Sequence, residues 1–450
     1  MIGQARLLEE LAKLVKRSPA DATSVCARGG TYRVSRFAYE AIHQDLVQES
    51  LTVSVRVVVG KRVGVALTNT LERAALHRSL RAALEIARHA PATTPLPPLP
   101  RGHRIQSTAG YAPQTPSASA TQTVRELKRL FHVCRGVGAQ LAGSLATGEE
   151  ELAVANSSGV SCYHASTTAG AKFVTLYRRL AGYASGVHRN LGCLDLDSLL
   201  ERALKQCLHR QDPVTLPVGT YEVVLEPEAV AELMTWLGYI AFGAKSFQEK
   251  TSFLAGRMGE QVVARSLTLM DDGQNPEGLA IPFDCEGVPK QPVALIDHGT
   301  AAGMVYDTAY GLLYGHPSTG HASSPDDAEG PLPSHLFLTA GSSTREELIR
   351  SCRRGLLIPR FHYVNGLLNP REALMTGLTR EGAFVIEDGK LKAPITTMRF
   401  TQSLLEALKH VRGISRERRL VADPTTDAGC AVMPTLHLAK FRFTGRSEAE

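Results

Sequence analysis

At "RQDPVTLPVGT" (residues 210–220) the chain changes texture, and no other feature narrows its fold as much. Two prolines and a glycine there interrupt regular structure. Upstream, strand-like runs alternate with helical stretches. Downstream come short strands separated by turn residues: "YEVVLE", "ARSLTLM", "AGMVYD", "HLFLTAG", "GLLIPRFHYV", "GAFVIEDGKL" and "PTLHLAKFRFTG". Helical patterns interrupt them at only 227–243, 344–354 and 402–411, where Ser343 and Glu346 make an S-x-x-E capping box for the second. The expectation is an α+β fold of two domains. Residues 1–212 form an α/β N-terminal domain, and residues 213–450 a strand-rich, sheet- or barrel-like C-terminal domain. A chain of 450 residues is also too long for one ordinary core.

The upstream half reads in more detail. Leu7, Leu8, Leu11, Leu14 and Val15 recur at helical spacing, so the first segment reads as an amphipathic helix and not as a secretory leader. "TSVCA" and "TYRVSRF" alternate as strands. "LTVSVRVVVGKRVGVALTN" (51–69) is β-branched and turns at Gly60. "LERAALHRSLRAALEIARHA" (71–90) is a helix, stopped by the extended run "PATTPLPPLP". A loop over 105–120 precedes a helix at 121–134. "ELAVANSSGVSCYHAST" is a hairpin about Ser157-Ser158-Gly159, and 196–209 reads as a further helix.

Composition excludes several classes. No stretch approaches the roughly 18 apolar residues of a membrane span. The eight cysteines are scattered with no C-x-x-C pair, which argues against a zinc knuckle or disulfide framework and for a reducing cytoplasm. Net charge is +6, with basic and acidic residues interleaved. The cluster "RERR" (416–419) reads as a solvated helix end, so no direct nucleic-acid contact is expected.

Motifs that carry chemistry are few. None of the fifteen histidines is followed by glutamate, and no two lie three or four apart. A zincin helix is thereby excluded. "HPSTGH" holds His316 and His321, but Pro317 and Gly320 break the spacing, so the segment is a loop rather than a metal pair. Its polar residues His316, Ser318, Thr319 and His321 are the candidates for substrate contact. Cys162 and His164 sit two apart on one strand face, an arrangement that packs more often than it catalyses. "GEEE" (148–151) and the Asp pairs at 271–272 and 326–327 read as solvated loops. There is no G-x-S-x-G elbow and no phosphate-binding glycine motif. No catalytic residue and no metal ligand is assigned.

Several stretches nevertheless carry a likeness. They are "VSVRVVVGKRVGVALTNTLERAALHRSLRAALEIARHAP" (53–91), "LPVGTYEVVLEPEAVAELM" (216–234), "SFLAGRMGEQVVARSLTLMDDG" (252–273), "STGHA" (318–322) and "RGLLIPRFHYVNGLLNPREALMTGLTREGAFVIEDGKL" (354–391). In that order the chain resembles the TldD/PmbA family of peptidase-related proteins, whose older label is modulator of DNA gyrase, and within it the PmbA/TldE branch. The resemblance implies that the family's active branch carries His-Glu-x-x-x-His on the helix following "P-x-A-V-x-x-L", with a downstream cysteine as third zinc ligand. Those six positions fall here on Met234, Thr235, Trp236, Leu237, Gly238 and Tyr239. The glycine matches, and both histidines and the glutamate do not. Cys430 lies in the region of the third ligand, within "AGCAVMPTL", which does not align with the family's pattern.

What the resemblance implies is a chain with no cofactor of its own, paired with a TldD-like catalytic subunit that carries zinc. Together the two would enclose a chamber that admits unfolded peptide. Two other readings stand beside it: a hydrolase with a relocated site, at Cys162/His164 or the His316/His321 loop, and a stand-alone peptide-binding or scaffold protein that forms a homodimer.

Overall fold

The computed structural model describes residues 1–106, 108–209, 211–424 and 429–446. Arg210, which opens the textural boundary, and Ser107, in the loop 105–120, fall outside that set. The fold is α+β, built on two sheets.

Helix α1 (Gln4–Arg17) buries Leu7, Leu11 and Leu14 along one face. Strands β1 (Ala22–Ala38), β2 (Ala41–Val59) and β3 (Arg62–Thr68) follow as an antiparallel meander, and β2 turns into β3 at Gly60, whose φ is 59°. The two runs expected at the start of this sheet are one strand. A Cβ on Gly30 would lie 2.2 Å from the Glu149 carbonyl oxygen, so glycine is what lets the neighbouring strand close up there. Helix α2 (Arg73–His89) packs beside α1 on β1 and β2. Helix α3 (Ala120–Gly136) starts at a Ser119/Gln122 capping box. Strands β4 (Gln140–Asn156), β5 (Ser161–Tyr177) and β6 (Leu180–His188) complete a six-stranded sheet of order β3-β2-β1-β4-β5-β6. Helix α4 (Leu196–Cys207) joins α3 over Phe37, Leu141 and Phe173.

One expectation is corrected here. Residues 148–151 lie inside β4 and are not a solvated loop. They pair on both flanks, Glu151 opposite Gly29 and Ala165. Glu151 is buried and compensated: it accepts from the N–H groups of Ile2 and Gly3 at 2.9 and 2.8 Å and from Tyr163 Oη at 3.0 Å.

The second sheet begins with β7 (Gly219–Leu225), followed by α5 (Pro227–Ala241), α6 (Ala244–Gln248), β8 (Leu269–Asp271), β9 (Val293–Asp297), β10 (Thr300–Ala301) and α7 (Thr308–Tyr314). Then come β11 (His335–Leu338), α8 (Arg345–Ser351), β12 (Arg354–Ile358), β13 (Phe361–Asn369), β14 (Leu374–Thr379), β15 (Phe384–Glu387) and β16 (Lys390–Pro394). It ends with β17 (Met398–Ser403), α9 (Leu404–Leu408), β18 (Val411–Val421) and β19 (Cys430–Arg446). The long β19 is the spine. It pairs with β11, β18, β7 and β17 in turn along its length.

Alternation assigns the two faces of this sheet. Val223, Leu225, Leu336, Leu356, Leu436 and Leu438 point into the large core under α5. Val224 and Leu357, one residue out of phase, pack instead beneath α8 with Leu348, Ile349 and Phe384.

Three further expectations shift. "AGMVYD" forms no strand: Val305 makes only an isolated bridge to Gly243, and Asp307 turns away to cap α7 through the Tyr310 N–H. The capping box of α8 is Thr344 with Glu347, one residue later than Ser343 with Glu346. Ser343 is held extended by its bridge to Ser415, so Thr344 is the first residue free to cap. The "RERR" cluster lies within β18 and is not a helix end.

Candidate functional site

The helix α5 follows directly from β7. Glu226 holds the N-cap position without a side-chain cap bond, and Pro227 begins the helix, where its missing N–H costs nothing. An ion network pins this start. Glu226 meets Arg345, and Glu228 accepts from Arg202 of α4 at 2.9 Å and from Arg419 at 2.7 Å. Both carboxylates are buried. Burial would raise the Glu226 carboxyl, but Arg345 and Arg419 outweigh it and hold it low. The cluster's other arginines are paired as well, Arg416 with Glu417 and Arg418 with Glu277.

Further along α5, Met234 is sealed in the core at 2% exposure, with Leu233 and Leu237. Thr235 and Tyr239 are exposed and share one face, a turn apart. Trp236 is half-buried and lies against Gly366 of β13, its ring edge-on to Tyr239 at 6.0 Å. A thioether facing inward, a hydroxyl and a phenol facing outward are not a zinc site. The residues present therefore do not fit the metal of the active branch. Cys430 does not supply a ligand here either. Leu336 and its β19 neighbour Ala431 face α5, where Leu336 packs on Gly238. His335 and its partner Cys430 point to the opposite face, where both bond Leu279. Burial pushes the Cys430 thiol up to about 11.

Beside the exposed face of α5 runs β13. Among the described residues it pairs only with β14, so its other edge is joined by no strand, and the Leu367 N–H donates to Asn365 Oδ1. Tyr363, Leu367 and Leu368 on this strand are 78%, 56% and 46% exposed.

The "HPSTGH" loop does not act as a unit. His316 is exposed and stacks on Tyr306 at 5.3 Å. Ser318 and Thr319 turn inward onto the Tyr306 carbonyl. His321 is fully buried, with Nε2 2.7 Å from Asp271 Oδ1. Asp271 also accepts from the N–H groups of Ser334 and His335, each at 2.7 Å. Asp271 was expected in a solvated loop and is instead the anchor of this segment. Burial opposes its charge, but His321 and then Lys290 hold the carboxyl well below the usual carboxylate range. Asp326, of the other Asp pair, accepts from Ser54 of β2 at 2.8 Å.

Cys162 and His164 do share a face of β5, but no bond joins them. Cys162 donates to the Val154 carbonyl at 3.9 Å, and burial pushes its thiol up to about 12. Burial, then Arg189, brings His164 down to about 4. The thiol stays protonated at neutral pH, which is the wrong state for a nucleophile.

One convergence escaped the sequence. Glu222, Cys352 and His437 place a carboxylate oxygen, a thiol and an imidazole nitrogen within 4.8 Å of one another. They come from β7, the C-terminal end of α8 and β19, so no spacing motif joins them.

Residues 218–445 match the family described as the PmbA/TldA metallopeptidase C-terminal domain, and residues 47–87 match PmbA/TldA metallopeptidase domain 1. The first match covers half of the chain, and this chain belongs to the PmbA/TldD metallopeptidase family. It is similar to the metalloprotease TldD homologue of Haemophilus influenzae, at 27% identity over 231 residues; the match spans 49% of this chain and 46% of that protein. The fold is that of TldE from Thermococcus kodakarensis, with a TM-score of 0.86 and 21% identity over 98% of this chain and 99% of that one. A protein described as a modulator of DNA gyrase, from Thermotoga maritima, aligns with a TM-score of 0.85 and 17% identity, covering 98% of this chain and all of that one (100%). Among the described residues no helix is long and apolar enough to cross a membrane.

Proposed function

We propose that this chain is the non-catalytic subunit of a two-chain peptidase of the cytoplasm. A TldD-like partner supplies the zinc, and the pair cleaves unfolded peptide in an enclosed chamber. What supports this reading is α5: Met234 points inward and Thr235 and Tyr239 outward at the positions where the resemblance implies the histidines and glutamate of the active branch. The neighbouring edge of β13 supports it, since an extended peptide adds to a free strand edge through backbone hydrogen bonds without special side chains. In this reading His316, the exposed histidine of the loop, is the residue that touches the peptide, while Ser318, Thr319 and His321 set the loop's shape. The arginines of 416–419 are each paired with a glutamate, so this cluster is not a free basic patch.

The test is an unstructured peptide incubated with this chain, with a TldD-like partner, and with both. Cleavage by the pair, lost when the partner's motif glutamate is replaced, supports the reading. Chelator-resistant cleavage by this chain alone overturns it.

A further inference from the structure

The face of the sheet opposite α5 holds the group Glu222, Cys352 and His437. Cys352 and His437 are buried at 0% and 2%. The side chain of Glu222 is 14% exposed. Thiol, imidazole and carboxylate together suit zinc better than calcium or magnesium, which take oxygen ligands.

The hydrogen bonds around His437 make the case. Ser351 Oγ donates its single proton to the Leu348 carbonyl at 2.8 Å, as a serine in the last turn of a helix does. Ser351 Oγ also lies 3.2 Å from His437 Nδ1, and with its proton committed it accepts there. With the ring proton on Nδ1, Nε2 turns its lone pair toward Glu222 Oε1, only 2.6 Å away. Two acceptors at that separation require a cation or a proton between them. The chain Nδ1–H to Ser351 to Leu348 is the outer support that fixes a metal-binding imidazole. On the other side, the thiol of Cys352 lies within 4.8 Å of the Glu222 carboxylate oxygen. Arg412 touches Glu222 Oε1 at 2.9 Å from the partly exposed rim.

We propose that Glu222, Cys352 and His437 bind one zinc ion, through a carboxylate oxygen, Sγ and Nε2, with water as the fourth ligand. The Cys352 thiol gives up its proton on binding, and so does His437 wherever its ring is doubly protonated. Arg412 remains as the outer partner of the bound carboxylate. The ion ties β7 and β19 to the end of α8. It lies across the sheet from α5, so the reading of α5 as metal-free is independent of it.

The experiment uses the full chain alone, stripped with a chelator and titrated with cobalt(II), then with competing zinc. The expected result is one cobalt per chain with a thiolate-to-cobalt charge-transfer band, displaced by zinc. Cys352→Ser, nearly isosteric, loses the band, and Cys430→Ser keeps it. Ser351→Ala binds about 10- to 100-fold more weakly, as expected for loss of an outer-shell partner. Absence of a thiolate band in the wild-type chain overturns the proposal, and so does a band that survives in Cys352→Ser. Peptide cleavage is not read out, so failure here leaves the proposed function untouched, and failure there leaves this site untouched.

Discussion

The two faces of the C-terminal sheet carry opposite kinds of information. Under α5 the packing is apolar: Met234 and Leu237 meet Leu336, Met433 and Leu436 in one core. On its helix, Met234, Thr235 and Tyr239 occupy the positions where the resemblance implies the ligands and base of the family's active members. Across the sheet, polar and ionisable groups gather: Cys352 and His437 are buried near α8 beside the partly buried Glu222, and His335 is buried near the head of β19. A local motif announces chemistry to a reader of sequence, and its loss announces silence. Strand alternation assembles chemistry from distant segments and announces nothing.

Met234→His would most directly break this contrast. Writing back the first motif position buries an imidazole among aliphatic side chains that offer it no partner. The expected cost is about 4 kcal/mol, from lost packing plus an unsatisfied polar group. Urea denaturation measures it. A variant that keeps wild-type stability would show that position 234 swings outward, and that the α5 face still admits a ligand.

The opposite face should respond to pH where the α5 face does not. Burial, then the charge of Lys290, brings His335 down to about 4 from the ordinary value near 6.5. Between those values the unfolded chain binds a proton that the folded chain refuses. The stability this histidine contributes is complete above pH 6.5 and is lost as pH falls toward 4. Against His335→Asn, the wild-type advantage should shrink by about 3 kcal/mol between pH 7 and pH 4. A constant gap across that range would mean that His335 is solvated.

What the sequence disclosed follows the same division. Helices α1, α2 and α4 and the hairpins turning at Gly60 and Gly159 were legible because their patterns are local. The placement of 148–151 was not. Three glutamates read as solvent-facing until β1 and β5 flank them and Ile2, Gly3 and Tyr163 satisfy Glu151. The cap of α8 slipped by one residue because Ser415, far along the chain, holds Ser343. His321 looked accessible beside His316, and only the fold reveals Asp271 beneath it. The helical pattern at 227–243 was legible, yet direction around the helix, inward for Met234 and outward for Tyr239, needed the packed sheet.

Trp236 sits between the two extremes. Its ring covers Gly366 and is half-buried, so Trp236→Ala should cost about 2 kcal/mol, less than the 3–5 typical of a fully buried aromatic. Thermal melting and the paired-chain peptide assay separate its roles. Unchanged melting with lost cleavage would place Trp236 in the wall of the chamber and not in the core.

The smallest expected effect sharpens the comparison most. Thr235 and Tyr239 stand one turn apart on the exposed side of α5, the geometry in which two imidazoles share one ion. The double variant Thr235→His/Tyr239→His, made in a Cys352→Ser background, should change stability by no more than about 1 kcal/mol, since neither side chain is buried. It gives up the edge-on contact of Tyr239 with the Trp236 ring and its interaction with Glu329. Added zinc should then raise its melting temperature while leaving the Cys352→Ser parent unmoved. Peptide cleavage should still not appear, because the third ligand has nowhere to come from: Cys430 faces the other side of the sheet. A zinc response together with cleavage would mean that the α5 face retains a complete constellation, with a ligand supplied from outside this helix.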